Sequence, residues 1–312
     1  MKIVSNFVID PCEFQRPAFR ISPFTTADLT RNTRWAASSE IDDYFANLYP
    51  RRKFVYTRNG REAIFLTLQS LNLTRADCVT ILTTTGNHYV SGCVTNQIER
   101  FCRWSREIEP STKAIFVNHE FGFGYEKLAE LKKYGKCIIE DICHSFASQN
   151  SEDTLGKIGD FVIASFPKYF PIQCGGLLWY DRARTIREMI DSSTKTYCQT
   201  VLSHYQGQIA AIAQQRRANH EYMTRRFAER GLRARFSLAA GDVPGVFMFV
   251  VPTHIDLMEM KIFMARQGIQ GGGFHGESSY FVPVHQQLSR AEMDYICEAA
   301  VCYLRTNGPI SA

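Results

Sequence analysis

The feature that most constrains the fold of this chain is a series of short apolar segments that alternate with helix-like segments between about residues 57 and 180. Short, apolar, β-branched segments are typical of strands that are buried on both faces of a sheet. Five segments have this character: 77–82, 114–118, 136–140, 160–165 and 175–180. The segment 125–134 has helical periodicity and ends before Gly135, a residue suited to a helix C-terminus. The alternation predicts an α/β fold with a mostly parallel sheet flanked by helices.

The chain changes character after residue 180, where helical patterns become longer. The segment 209–230 is Ala-rich and stops at Gly231, as a long helix would. Beyond it, one strand-like segment and two helix-like segments follow, at 246–251, 256–266 and 289–304. This content predicts a smaller α+β domain. We therefore assign residues 1–205 to a large α/β domain and residues 206–312 to a small C-terminal α+β domain.

Composition and charge are those of a soluble globular protein. The 312 residues are 45% hydrophobic and 21% charged, which is an ordinary balance. No apolar stretch approaches the roughly 20 residues of a membrane-spanning helix, and the N-terminus lacks the pattern of a secretory leader. We expect a cytoplasmic protein with no membrane partner. The net charge of +5 is scattered along the chain, so the alternative of a nucleic-acid-binding module has little support.

The ten cysteines do not form a recognisable framework. They occur singly, several of them within apolar segments, and no pair has the C-x-x-C spacing or the neighbouring histidines of a zinc site. We interpret them as reduced and mostly buried thiols, and we predict no metal site.

One lysine stands in an unusual setting. Lys168 lies between Pro167 and Pro171, is surrounded by Phe and Tyr, and directly follows a predicted strand. A stiff, apolar loop favours the neutral amine, the form that condenses with an aldehyde. The glycines Gly175 and Gly176 then allow the backbone to pass close to a bound group. Taken alone, a loop lysine is more often a surface charge.

Two polar residues follow the predicted strand 136–140. Asp141 lies at the end of this strand, where its carboxylate would face the crevice at the carboxyl edge of the sheet and could keep a pyridine nitrogen protonated. The alternative for Asp141 is a helix N-cap. His144 is either a hydrogen-bonded structural histidine or a group that packs on a cofactor.

A polar turn at residues 57–63 leads into the apolar helical segment 64–71. Such a turn presents free backbone N–H groups and the positive end of a helix dipole, which suit a phosphate. The turn has neither the Lys-Ser/Thr ending of a P-loop nor the three spaced glycines of a dinucleotide fold. Alone it is a weak signal, because any capped helix looks similar.

Together, these motifs resemble the DegT/DnrJ/StrS family of pyridoxal 5′-phosphate (PLP)-dependent sugar aminotransferases, which are fold-type I PLP enzymes. The family pattern has a Gly-containing turn, a Glu-Asp-x-x-His/Gln motif, and a Gly-Asp…Ser-Phe…Lys…Gly-Gly motif. Here these correspond to residues 59–63, 140–144 and 159–176. Weaker similarity resumes at 206–230 and at 281–295. Two departures are the single residue between Ser165-Phe166 and Lys168, and the absence of the family's loop before the Ala-Ala helix.

The resemblance implies that Lys168 carries the cofactor as a Schiff base and moves protons. It implies that Asp141 contacts the pyridinium nitrogen and that His144 lies against the cofactor ring or its phenolic oxygen. The phosphate would be bound at Asn59, Gly60 and Arg61, with a hydroxyl from Ser165. The face-stacking aromatic residue falls near residues 87–89, where we choose His88, with Tyr89 second.

The same resemblance implies an aminotransferase that moves an amino group from an amino acid, glutamate in most of the family, to a keto-sugar. We expect this sugar to be linked to a nucleotide and the product to serve amino-sugar or surface polysaccharide biosynthesis. Substrate contacts are expected from the small domain at His275 and His285, although either could be an ordinary surface or structural histidine. A homodimer is expected. Two alternatives stay open: a PLP-dependent sugar dehydratase, and a non-catalytic member that binds sugar nucleotides. Because known dehydratases of the family often replace the lysine, Lys168 favours amino transfer.

Overall fold

The computed structural model of the chain describes residues 18–308, and these residues form two compact units. The large unit comprises residues 22–217 and 238–245. The small unit comprises 18–21, 218–237 and 246–308. Each unit has its own hydrophobic core.

These units differ from the simple division at residue 206 that the sequence suggested. The chain changes unit after Arg217, within an unbroken helix. Segment 238–245 belongs to the large unit, where Nη1 of Arg217 donates hydrogen bonds to the carbonyl oxygens of Ala239 and Asp242, at 2.7 and 2.5 Å. Segment 18–21 pairs with the small unit, since the Phe19 N–H donates to the carbonyl of Gly268 at 2.9 Å. Contacts between segments that are far apart in the sequence cannot be recognised from the pattern of residues along the chain.

The large unit is a seven-stranded sheet flanked by helices. Its elements, in chain order, are α1 (Thr26–Asn32), α2 (Ile41–Leu48), β1 (Arg52–Thr57), α3 (Gly60–Ser70), β2 (Cys78–Thr83), α4 (Gly92–Ile98), β3 (Arg103–Ser105), β4 (Thr112–Asn118), β5 (Cys137–Asp141), β6 (Phe161–Ser165), β7 (Gly176–Asp181) and α5 (Ser192–Tyr205). Helix α6 (Ile209–Ala228) begins in this unit and ends in the other.

The strand order is β1-β7-β6-β5-β4-β2-β3. Strands β3, β2, β4, β5 and β6 run parallel, and β7 is antiparallel to both of its neighbours. The mostly parallel α/β sheet predicted from the sequence is therefore confirmed. Because β5 and β6 are adjacent and parallel, Asp141 and Ser165 both lie at the carboxyl edge of the sheet.

An aromatic cluster packs one face of the sheet at β7 and the turn after β6. The Trp179 indole N–H donates to the carbonyl of Phe45 at 3.2 Å, and the two rings meet edge to face. Phe45 also stacks on Phe166, with centroids 5.7 Å apart and planes 4° from parallel. Buried aromatic side chains contribute large apolar areas with defined geometry. Through Phe166, this cluster fixes the turn that carries Lys168.

The α-helix predicted at 125–134 is wrong in type and extent. The segment contains a 3₁₀ helix only at Ala129–Tyr134, which ends at Gly135 with a left-handed backbone. The side-chain amide of Asn150 donates to the carbonyl of Tyr125 at 3.2 Å, and Glu126 accepts hydrogen bonds from Ser151. These tertiary contacts occupy the groups that would open an α-helix.

Glu140 is a fully buried carboxylate on β5. It accepts hydrogen bonds from the backbone N–H groups of Gly156, Ile158 and Gly159, at 2.5, 3.0 and 2.5 Å. The His119 Nε2 lies 3.2 Å from it, and His119 Nδ1 accepts from the N–H of Tyr125, so Nε2 carries the proton that is donated to Glu140. This network fixes the loop that leads into β6.

The small unit is α+β, as the sequence predicts. Its elements are β8 (Phe247–Val250), α7 (Leu257–Arg266), β9 (Gly272–Phe274), β10 (Ser279–Val282) and α8 (Arg290–Thr306). The three strands form an antiparallel sheet in the order β8-β10-β9. Helix α8 begins with a capping box between Ser289 and Glu292.

Nine of the ten cysteines lie in the described residues, and all nine are free thiols. Four of them are buried, and Cys93 and Cys302 are exposed; Cys12 lies outside the described residues. Within residues 18–308, no group of three metal-ligating side chains is present, and none of the helices is both long and apolar enough to cross a membrane.

We predict that Glu140→Gln lowers the free energy of unfolding by about 2–4 kcal/mol, because an amide replaces a buried charged acceptor of several hydrogen bonds. Denaturant unfolding followed by circular dichroism measures this loss. Glu130→Gln, at an exposed glutamate, is the matched control and should change stability by less than about 0.5 kcal/mol. Equal stability of the two variants would contradict the prediction.

Candidate active site

Lys168 is held at the carboxyl edge of the sheet by a single turn. Strand β6 ends at Ser165, and a 3₁₀ turn at Phe166–Lys168, with Pro167 inside it, follows at once. This turn accounts for the short spacing between Ser165 and Lys168, because one turn is enough to place the lysine beside the end of the strand. The side chain of Lys168 is half-buried.

Gly175 and Gly176 allow three segments to meet behind this turn. Gly175 has a left-handed backbone with φ +98°, and a β-carbon there would lie 2.7 Å from the Cys198 sulfur. A β-carbon on Gly176 would lie 2.7 Å from the carbonyl oxygen of Ala164 and 3.1 Å from the carbonyl carbon of Asn59. The glycine pair therefore brings β6, β7 and the start of α3 into direct contact.

Asp141 ends β5 and is buried, near enough to Lys168 for the two side chains to interact electrostatically. Its Oδ1 accepts a hydrogen bond from the backbone N–H of Cys143 at 2.9 Å. Burial raises the pKa of the Asp141 carboxyl above its usual value, while the hydrogen bonds from Cys143 and electrostatic interactions with His119 and Lys168 oppose the rise. This carboxyl is suited to a cationic N–H partner, which would stabilise its charged form.

His144 has a half-buried ring whose Nδ1 is enclosed. This atom has no hydrogen-bond partner within residues 18–308. The ring centroid lies 5.7 Å from that of Phe121, and a β-carbon on Gly245 would lie 3.0 Å from Nδ1. Burial, with the charges of Lys168 and Arg216, places the pKa of His144 well below its usual value. The ring is therefore neutral at pH 7.

Helix α3 begins at the same edge of the sheet. Asn59 is its N-cap, and the Asn59 Oδ1 accepts from the N–H of Glu62 at 3.1 Å. A β-carbon on Gly60 would lie 3.0 Å from the Cys143 sulfur and 3.3 Å from the Ser165 β-carbon. The first turn of α3 thus adjoins the ends of β5 and β6. The side chain of Arg61 is exposed, which leaves its backbone N–H as the group it offers here.

The structure therefore brings together seven of the predicted site residues in the large unit: Lys168, Asp141, His144, Asn59, Gly60, Arg61 and Ser165. They surround one edge of the sheet with an amine, a carboxyl, an imidazole and a helix N-terminus. Their individual roles stay predictions.

The remaining predicted residues are placed differently. His88 is exposed in the loop after β2, whereas Tyr89 is half-buried and burial raises its pKa. His275 and His285 belong to the small unit, where His275 is exposed in the turn between β9 and β10 and His285 is buried. The cofactor or substrate roles assigned to these residues stay predictions.

Sequence reasoning missed two residues that adjoin the site. Arg216, on α6, is buried and donates to the carbonyl of Lys168 at 2.9 Å. Phe121, which packs against His144, has a left-handed backbone with φ 55°, an unfavourable conformation for a bulky residue. An arginine in a helical sequence pattern looks like a surface residue, and backbone strain has no sequence signature, so neither could have been singled out.

Comparison with known proteins tests the resemblance inferred from the motifs. The model of the DegT/DnrJ/EryC1/StrS aminotransferase family matches residues 102–191 of the chain, a segment that contains both Asp141 and Lys168. The predicted resemblance to this family is confirmed. No curated protein sequence matches the chain.

Several solved structures share the fold of this chain. The aminotransferase TlmJ from Streptoalloteichus hindustanus is 16% identical, with a TM-score of 0.71 over 92% of this chain and 99% of that chain. Spr1654 from Streptococcus pneumoniae, in its PLP-form, is 15% identical, with a TM-score of 0.69 over 95% and 100% of the two chains. The GDP-4-keto-6-deoxy-D-mannose-3-dehydratase of E. coli, with bound hydrated PLP, is 13% identical, with a TM-score of 0.66 over 92% and 100%.

We predict that His144 makes the cofactor-free protein less stable at mildly acidic pH. Because the folded state holds this ring neutral, the unfolded state binds the extra proton below the usual pKa of about 6.5, and stability falls as the pH drops through that value. His144→Gln should remove this loss, on the order of 1 kcal/mol between pH 7 and pH 5.5.

Urea unfolding of the wild type and the variant at a series of pH values measures the difference. His88→Gln, at an exposed imidazole, is the control and should keep the pH dependence of the wild type. Parallel stability curves for wild type and His144→Gln would refute the assignment.

Proposed function

We propose that this chain binds PLP covalently at Lys168 and transfers an amino group from an amino acid, with glutamate as the donor, to a keto-sugar. The observation that carries this proposal is the convergence of Lys168, Asp141, His144 and the first turn of α3 at one edge of the sheet. Each of these groups is common alone, but the four together meet the needs of one cofactor.

The residues fit the chemical groups of PLP. The phosphate suits the N-terminus of the 11-residue helix α3, where Gly60 leaves space only for backbone. The pyridine nitrogen suits Asp141, because a cationic N–H would relieve the cost of burying that carboxyl. The unpartnered Nδ1 of His144 suits a polar group on the ring. The aldehyde suits the amine of Lys168.

The chemistry divides between the cofactor and the chain. When bound, PLP supplies an electron sink that stabilises negative charge on the reacting carbon. In our proposal Asp141 keeps the pyridine nitrogen protonated, and the neutral His144 packs against the ring without adding charge. Lys168, on its fixed turn, accepts and returns the proton of the reacting carbon as a general base and acid. In this proposal Asp141 acts on the proton of the pyridine nitrogen, and Lys168 acts on the proton of the reacting carbon.

The substrate class rests on the family and its structural neighbours. The family model is that of the DegT/DnrJ/EryC1/StrS aminotransferases, and Spr1654 is described as a sugar aminotransferase. We further propose that the keto-sugar is nucleotide-linked, that the product serves amino-sugar or surface polysaccharide biosynthesis, and that the protein acts in the cytoplasm as a homodimer. Direct contact with the substrate by His275 and His285 is part of the same proposal.

A sugar dehydratase is the second candidate function. It is favoured by the structural similarity to the E. coli GDP-4-keto-6-deoxy-D-mannose-3-dehydratase. Lys168 argues for amino transfer, because the resemblance implies that dehydratases of the family often lack this lysine. The fate of the donor nitrogen separates the two functions. Amino transfer leaves this nitrogen on the sugar, whereas dehydration removes water from the sugar and leaves no nitrogen on it.

We predict that borohydride reduction of the PLP-loaded protein places a phosphopyridoxyl group on Lys168, because reduction makes the bond between amine and aldehyde permanent. Peptide mass spectrometry locates the group. Lys168→Ala should abolish it, whereas Lys157→Ala, at an exposed lysine paired with Asp153, should leave it unchanged. A stable adduct on any other lysine, or the absence of an adduct, would overturn the proposal and favour a non-catalytic protein.

We predict that the PLP-loaded protein converts glutamate to 2-oxoglutarate in a single turnover, and that Asp141→Asn slows this step by about 100-fold or more, because a neutral amide no longer holds the pyridine nitrogen protonated. Rapid quenching with detection of 2-oxoglutarate measures the rate.

The phosphopyridoxyl adduct on Lys168 should still form in Asp141→Asn, which separates loss of chemistry from loss of binding. Glu152→Gln, at an exposed carboxylate, is the control and should retain the wild-type rate. A wild-type protein that forms the adduct and dehydrates a keto-sugar without leaving the donor nitrogen on it would favour the dehydratase.

A further inference from the structure

Arg216 is a buried cation directly behind the lysine turn. Its side chain is only 1% exposed. Nη2 donates to the carbonyl oxygens of Lys168 and Tyr169, at 2.9 and 3.2 Å, and Nη1 donates to the carbonyl of Pro244 at 3.4 Å. The guanidinium carbon lies 4.9 Å from the centroid of the Tyr169 ring. One planar group therefore contacts the turn after β6 and the segment 238–245.

The turn is attached to α6 at a second point. The Tyr169 hydroxyl donates to the carbonyl of Ile209, at the start of the helix, at 2.7 Å. Within the turn, the N–H groups of Tyr169 and Phe170 donate to the carbonyl of Phe166 at 3.0 and 2.8 Å. The carbonyls of Lys168 and Tyr169 point outward from the turn to Arg216 instead. The main chain around Lys168 is therefore held both by hydrogen bonds within the turn and by Arg216.

We propose that Arg216 is a positioning residue, which fixes the main chain of Lys168 so that the amine returns to the same place whenever it is released from the cofactor. This inference rests on the proposed role of Lys168. In each catalytic cycle the lysine must leave and rejoin the cofactor by rotation of its own side chain, and a stationary main chain keeps that motion short. Arg216 needs no contact with cofactor or substrate to do this.

The side-chain chemistry of arginine suits this position. A guanidinium presents several N–H donors in one plane and can serve two or three carbonyls at once, whereas an ammonium is a compact donor. Burial lowers the pKa of Arg216 to about 10, so it remains charged at pH 7, and charged donors form stronger hydrogen bonds than neutral ones. Loss of Arg216 would leave buried carbonyls without this donor.

Arg217 provides a matched control on the same helix. It also donates to backbone carbonyls of segment 238–245, those of Ala239 and Asp242. Among the residues that the structure describes, Arg217 donates its side-chain hydrogen bonds to this segment and not to the turn that carries Lys168. Comparing variants of the two arginines therefore distinguishes the effect of losing a contact with segment 238–245 from the effect of losing a contact with the turn that carries Lys168.

The first measurement is amide hydrogen exchange in the PLP-free protein, with peptides that cover residues 166–172. Arg216→Met should raise the exchange rate of this segment roughly tenfold or more, because the turn loses a charged donor to two of its carbonyls. Arg216→Lys should give a smaller increase, and Arg217→Met should leave this segment at the wild-type rate.

The second measurement is the rate at which added PLP forms a borohydride-trapped adduct at Lys168. Arg216→Met should slow this rate roughly 10- to 100-fold, Arg216→Lys should slow it less, and Arg217→Met should match the wild type. Far-ultraviolet circular dichroism checks that each variant is folded. If Arg216→Met does not fold, Arg216→Lys decides the question.

Folded Arg216 variants with wild-type exchange at 166–172 would overturn the inference, and so would an equal effect of Arg217→Met. If the wild-type protein forms no adduct at Lys168, the proposed function fails. Amide exchange, which needs no cofactor, would still decide whether Arg216 holds the turn.

Discussion

The position of the site residues depends on the hydrogen bonds that the buried carboxylate of Glu140 accepts. Its hydrogen bonds to three backbone N–H groups at 156–159 set where the chain enters β6, and β6 in turn determines where Ser165 and the lysine turn lie. Side chains alternate along a strand, so Glu140 and Asp141 point to opposite faces of the same sheet. Glu140 fixes the loop before β6, and Asp141 lies at the edge of the sheet where the other predicted site residues are found.

The sheet and much of the site could be predicted because both follow from local sequence. Strands β2, β4, β5, β6 and β7 are short apolar runs, and each was found within two residues of its true limits. Asp141 and Lys168 could be chosen because they immediately follow such runs. Arg216 could not, because its burial comes from the lysine turn and segment 238–245, which are far away in sequence.

Other failures have the same physical origin. The helix predicted at 125–134 has good local periodicity, but Asn150, from a distant loop, captures the carbonyl of Tyr125. The antiparallel direction of β7 depends on its neighbours β1 and β6 and not on its own residues. The sequence pattern suggested that the large unit ends near residue 206. In the structure, segment 238–245 also belongs to the large unit, although residues 218–237 before it belong to the small unit.

The Cys143 thiol lies close to Gly60 and Ser165, at the same edge of the sheet as Lys168. A thiolate there would compete with the amine for any aldehyde. Burial, together with the negative charge of Asp141, raises the pKa of Cys143 well above its usual value, and a protonated thiol is a poor nucleophile. Burial thus keeps the thiol from competing with the amine of Lys168, and the carboxyl that our proposal assigns to the cofactor nitrogen adds to this effect.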